Sequence, residues 1–165
     1  MADETARSNL RMETMTAVQK AALVVGIVFL LVGIAGFIPG VTSNYDDMEF
    51  AGHESGAELL GIFQVSVLHN LVHVLFGVLG IAAARRWQAA RWYLIGGGAI
   101  YLVLVVYGLL VDHDDDANFV PVNDADDWLH LVLGAGMIAL GVLLTRSDPG
   151  LSRGAGRSRA AGHHV

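Results

Sequence analysis

The run LLGIFQVSVLHNLVHVLFGVLGIAAA, Leu59 to Ala84, holds no Asp, Glu, Lys or Arg over 26 residues. About 20 apolar residues are enough to carry a helix across a hydrocarbon core of about 30 Å, whereas a membrane strand is shorter and alternates polar with apolar. This stretch therefore reads as a membrane helix. Three more uncharged runs accompany it: Ala21 to Ile38, Trp92 to Val111 and Trp128 to Thr145. The first is too long for the core of a secretory signal, and Asp3, Glu4 and Glu13 sit among its flanking basic residues, so it reads as an anchor.

Composition agrees with these runs. The chain of 165 residues is 54% hydrophobic and only 16% charged, which is too apolar for an ordinary soluble domain or a disordered chain. Its net charge of -6 offers no basic face for a nucleic acid, and the lack of cysteine excludes disulfides, thiolate metal sites and thiol nucleophiles. The placement of charge then sets an orientation, because cytoplasmic loops carry the excess of Lys and Arg. All 10 cations lie before the first run, between the second and third (Arg85, Arg86, Arg91) or after the fourth. The other two loops carry only acids, from Asp46 to Glu58 and from Asp112 to Asp127. Both termini are expected in the cytoplasm.

An internal repeat is visible. Leu71-Val72-His73-Val74-Leu75-Phe76-Gly77 aligns with Trp128-Leu129-His130-Leu131-Val132-Leu133-Gly134, and upstream Phe63 to Ser66 faces Phe119 to Asn123. Two helical hairpins of the same orientation follow, related by a pseudo-twofold axis along the membrane normal. If the second helix starts near Ser66, Ala51 to Val65 becomes a short amphipathic segment at the outer interface. Small residues at helical spacing, Gly33, Gly36, Gly77, Gly80, Ala135 and Ala139, are expected to let the helices approach closely.

The candidate site is the polar cluster inside the apolar runs: His69, Asn70 and His73 in the second and His130 in the fourth. His69 and His73 share a helix face at i and i+4, and intramembrane ionisable groups must face protein. Two chemistries compete. Three imidazoles could ligate a transition metal, or His73 and His130 a haem, but no HExxH arrangement, cysteine or in-span carboxylate completes a ligand set. Alternatively, neutral imidazoles and the amide hydrogen-bond across helices and fix the register of the hairpins, with the outer acids Asp124, Asp126 and Asp127 as partners. The second reading is preferred, and it assigns no catalytic residue and no cofactor. Transport is less well supported, since no chain of carboxylates crosses the apolar runs. The acidic string Asp112 to Asp116 imitates a calcium loop, but Ala117 and Asn123 stand where the turn glycine and the bidentate Glu are required.

Two stretches carry a family resemblance. Phe63-Gln64-Val65-Ser66-Val67-Leu68-His69-Asn70-Leu71-Val72-His73 with Gly77, and Asn118 to Asn123 leading to Asp127-Trp128-Leu129-His130, resemble the signatures of a bacterial four-helix membrane family, frequent in actinobacteria and known only as a domain of unknown function. Family members often carry Asn-Pro where this chain has Ser66-Val67. The resemblance implies four membrane helices and no activity.

The expectation is thus an all-α integral membrane four-helix bundle of two repeated hairpins, in the plasma membrane with both ends cytoplasmic. A cytoplasmic segment spans 1–16, the helical domain 17–146 (helices about 19–38, 66–84, 92–111 and 128–145), and a disordered basic tail 147–165. The expected function is a non-enzymatic structural or accessory module contacting the bilayer and either itself or another membrane protein, with no nucleic acid. The alternative is a haem- or metal-binding membrane protein in electron transfer.

Overall fold

The computed structural model of the chain describes residues 15–52, 54–111 and 123–146. The expected N-terminal segment through residue 14, the acidic string, the upstream repeat stretch before Asn123 and the basic tail lie outside the described residues.

Four α-helices are present among the described residues: α1 (Ala17–Ala35), α2 (Val67–Ala83), α3 (Trp87–Leu110) and α4 (Asp124–Arg146). Three of them, α1, α3 and α4, are long and apolar enough to cross a membrane, while α2 is apolar but has only 17 residues. Their ends are set by capping and turn chemistry, and so differ from the limits of the uncharged runs. Pro39 and Gly40 follow α1, and it stops at Ala35, not near Ile38, because the chain before a proline leaves the helical region. Only Ala84, Arg85 and Arg86 separate α2 from α3, so α3 begins at Trp87, well before Trp92. At the start of α4 the Asn123 side chain accepts from Asp126 N–H at 3.0 Å while Asp126 accepts from Asn123 N–H at 3.2 Å, a reciprocal cap. The acids expected in the loop before Trp128 therefore form the first turn of α4.

Between α1 and α2 the chain does not form the amphipathic segment expected over Ala51 to Val65. It folds into a small antiparallel sheet of β1 (Thr42–Ser43), β2 (Glu58–Leu59) and β3 (Phe63–Gln64), in that order, with Thr42 opposite Leu59 and Leu59 opposite Phe63. Buried Ala57, Leu59 and Val65 pack on Val32 and Ala35 of α1. The loop also supplies the first turn of α2 with acceptors: Val67 and Leu68 N–H donate to the carbonyls of Glu49 and Phe50 at 3.1 and 2.9 Å, and His69 N–H donates to Ser66 Oγ at 3.1 Å. A helix start with its free amides met in this way can sit inside a fold.

The helices pair as two hairpins, α1 with α2 and α3 with α4. Glycine makes both contacts close. A methyl group on Gly26 of α1 would lie 2.7 Å from Ile81 N and 3.0 Å from Gly77 O of α2. One on Gly98 of α3 would lie 3.1 Å from Ile138 N and 2.6 Å from Gly134 O of α4. Gly33, Gly36, Gly77 and Gly80 lie at the first contact as expected, but Ala135 and Ala139 are exposed, and Gly134 and Gly141 take the corresponding places on α4. Across the two hairpins, buried Phe29 stacks on Tyr101 with centroids 5.4 Å apart and planes 5° from parallel. The outward flanks are apolar: Val24, Leu31, Val103, Leu109 and Val132 are each more than half exposed. In water such a surface would be costly, and against acyl chains it is the expected one.

Gln19 Nε2 donates to Ala84 O at 2.8 Å, which puts the start of α1 beside the end of α2. Lys20, Arg85, Arg86 and Arg91 therefore gather at one end of the bundle, and the sheet with Asp46, Asp47, Glu49, Glu54 and Glu58 closes the other.

Candidate functional site

Three of the four polar side chains expected to cluster come together at the seam between the hairpins. The i, i+4 spacing on α2 stacks His69 on His73, with centroids 4.6 Å apart and planes 13° from parallel. His130 of α4 approaches His69 at 6.2 Å. All three are buried. His73 Nδ1–H donates to the His69 carbonyl at 3.1 Å, since a backbone oxygen can only accept, and this leaves the lone pair of His73 on Nε2. The Nδ1 of His130 is buried and has no hydrogen-bond partner among the described residues.

Aromatic rings complete the enclosure. Phe29 meets His73 edge-on at 5.6 Å and Tyr101 meets His130 at 5.0 Å, so each hairpin places one aromatic ring against its own histidine. Sequence reasoning missed both rings, because one aromatic among many apolar residues carries no signal of its own. Tyr101, a hydroxyl-bearing ring near the middle of an uncharged run, was the nearest thing to one.

Asn70 does not join the imidazoles. It faces α1, where its side chain abuts the Cα of Gly36 and its Nδ2 donates to Met48 Sδ at 3.9 Å. The acids divide similarly. Asp124 is exposed. Asp127 is buried with its carboxylate against Gly108 of α3. Asp126, 2% exposed, closes the cap of α4 and reaches into the first hairpin, where its Oδ2 accepts from Gln64 N–H of β3 at 3.1 Å. Beside it Asn123 Nδ2 donates to the Ile62 carbonyl at 2.9 Å. These contacts join the start of α4 to the sheet above α2.

A cavity of about 170 Å³ opens beside the imidazoles, between α2, α3 and α4. Among the described residues no group of three or more His, Cys, Asp or Glu side chains is arranged to hold a metal ion. Lone pairs of an imidazole lie in the ring plane, and nitrogens sharing a metal at about 2.0–2.1 Å must converge on it. The near-parallel rings of His69 and His73 point side by side instead.

A model of the family described as domain of unknown function (DUF4383) matches residues 19–143. No curated protein and no solved structure matches the chain.

Proposed function

We propose, from the premise that this chain belongs to the DUF4383 family, a domain of unknown function, that it is a four-crossing membrane protein serving as a structural or accessory module without catalysis of its own. The observation that carries this reading is the use made of the polar groups at the seam. Asp126 and Asn123 each make a side-chain hydrogen bond to a backbone group of the opposite hairpin, and His73 makes one to the backbone of its own helix. The contacts of Asp126 and Asn123 fix the register of the two hairpins, and no nucleophile and base stand paired for chemistry among these groups.

Two further readings belong with it. The hairpins are copies of one unit: Asn70 against Gly36 corresponds to Asp127 against Gly108, and Gly77 against Leu30 corresponds to Gly134 against Leu102. The helix caps Ser66 and Asn123 correspond in the same register. Both termini face the cytoplasm, supported by the collection of Lys20, Arg85, Arg86 and Arg91 at one end of the bundle. At 17 residues α2 spans about 25 Å at 1.5 Å per residue, and the sheet above its start makes up the thickness. The module meets lipid along its flanks and either a second copy or another membrane protein.

The haem or metal alternative has less support, since the stacked rings of His69 and His73 lie side by side and a cavity of about 170 Å³ is below the roughly 300–1,000 Å³ of cofactor sites. The two separate experimentally. Protein purified from membranes should lack a Soret band and stoichiometric metal, and His73→Ala and His130→Ala should each cost about 1–3 kcal/mol of stability. A chromophore or bound metal that disappears in either variant would overturn the accessory reading.

A further inference from the structure

We propose that the loop between α1 and α2 is seated in the outer leaflet of the bilayer, with Phe50, Leu60 and Ile62 against lipid acyl chains near the headgroups. The inference rests on the four-crossing reading and names the part of the fold, besides the helices, that meets lipid.

Length comes first. At 1.5 Å per residue the 17 residues of α2 span about 25 Å, short of a hydrocarbon core of about 30 Å. With its end at Ala83, beside Arg85 and Arg86, held at the cytoplasmic boundary, its start at Val67 falls inside the outer edge of that core. The loop around this start is then at membrane depth. Irregular backbone is tolerated there only when its polar groups are met within the protein. The loop meets that condition through its three-stranded sheet and through the carbonyls of Glu49 and Phe50, which accept from Val67 and Leu68 N–H.

The exposed side chains agree with that depth. Phe50, Leu60 and Ile62 are each more than half exposed, and hydrogen bonds place them over three different helices. Leu60 N–H donates to the Val41 carbonyl at 2.9 Å, just past the end of α1, where Ile34 and Ile38 are exposed. The Phe50 carbonyl accepts from Leu68 at the start of α2, and the Ile62 carbonyl from Asn123 Nδ2 at the cap of α4, shortly before exposed Trp128. The apolar surface of the helices thus continues past their ends onto the loop, and a surface continuous with the lipid-facing flank takes the same cover. Asp46 and Asp47 lie on a separate turn, Tyr45–Asp47, which on this reading faces water.

The backbone of Leu60 adds an independent argument. Its φ is +57°, a left-handed conformation that Gly or Asn adopts readily and a bulky residue adopts at a cost. The largely exposed side chain returns little of that cost by packing within the fold. Burial among acyl chains returns it.

The chain has no native cysteine, so Phe50→Cys, Leu60→Cys and Ile62→Cys, with Asp46→Cys and Leu75→Cys for reference, can each carry one nitrobenzoxadiazole fluorophore. Each full-length variant is checked for folding by circular dichroism and elution profile, then reconstituted into vesicles of phosphatidylcholine and phosphatidylglycerol. Lipid carrying a nitroxide near the headgroup end of its acyl chain should remove most of the fluorescence from the three loop positions. Iodide on both sides of the membrane should instead remove it from Asp46→Cys. Leu75, exposed at the middle of α2, should be quenched by a nitroxide deep in the chain. Loop positions open to iodide and untouched by lipid nitroxide, with Leu75→Cys still quenched, would overturn this inference alone. Loss of lipid quenching at Leu75→Cys as well would overturn the four-crossing reading with it. Protection of the loop positions from both quenchers would mean that a second copy or another protein covers them, and would refute the lipid contact.

Discussion

The buried side chain of Asp126 ties two pieces of backbone together: it closes the start of its own helix through Asn123 N–H and holds β3 through Gln64 N–H, while its backbone N–H donates to the Asn123 cap in return. One oxygen, Oδ2, accepts from both of these amides. Asp126→Ala leaves two amides without their acceptor and should cost about 1–3 kcal/mol, whereas Asp126→Asn can keep an oxygen in place and should cost less. Thermal or denaturant unfolding of the purified variants in detergent measures the difference, and equal losses would mean that charge, not acceptor geometry, holds the join. At this scale the imidazoles were legible in the sequence, because a polar side chain in an uncharged run must face protein. The loop acids were legible only as a set. That Asp126 would engage backbone, Asp127 pack on Gly108 and Asp124 stay exposed depends on the start of α4, which the Asn123 cap moves upstream of Trp128. Asn70 was placed with the histidines for its sequence neighbourhood, yet its position on α2 turns it towards α1.

At the level of elements, helix association in lipid has no hydrophobic drive between helices and depends on close packing. The glycines accordingly fall into two classes. A methyl group on Gly77 would lie 2.5 Å from Leu30 N, and the backbone there cannot yield without separating α1 from α2. Nothing lies within 4 Å of the corresponding point on Gly96 or Gly136. Gly77→Ala should therefore destabilise the bundle by about 1–3 kcal/mol, and Gly96→Ala and Gly136→Ala should be neutral or stabilising by about 0.5–1 kcal/mol. Unfolding of the three variants checks this, and a stable Gly77→Ala would count against the close contact. The helices themselves could be read from hydropathy, but their ends could not, since caps and a proline, not loss of apolar character, terminate them. The sheet was unreadable for another reason: its strands have two residues each, too few for alternation to register, and its register is fixed by packing against α1.

The whole molecule has an apolar waist between two ends of opposite charge. Lys20, Arg85, Arg86 and Arg91 mark one end, and the acid-bearing sheet the other. On the proposed orientation a bilayer surrounds the waist with the cations on the cytoplasmic side and the imidazole seam nearer the outer face. The absence of native cysteine makes the orientation directly accessible to chemistry, and Asp46 and Arg86 are both exposed, at opposite ends. Single Asp46→Cys and Arg86→Cys variants, treated in intact cells with a membrane-impermeant maleimide, test the arrangement most directly. Asp46→Cys should label from outside and Arg86→Cys only after permeabilisation; labelling of Arg86→Cys in intact cells, or of both positions alike, would contradict it.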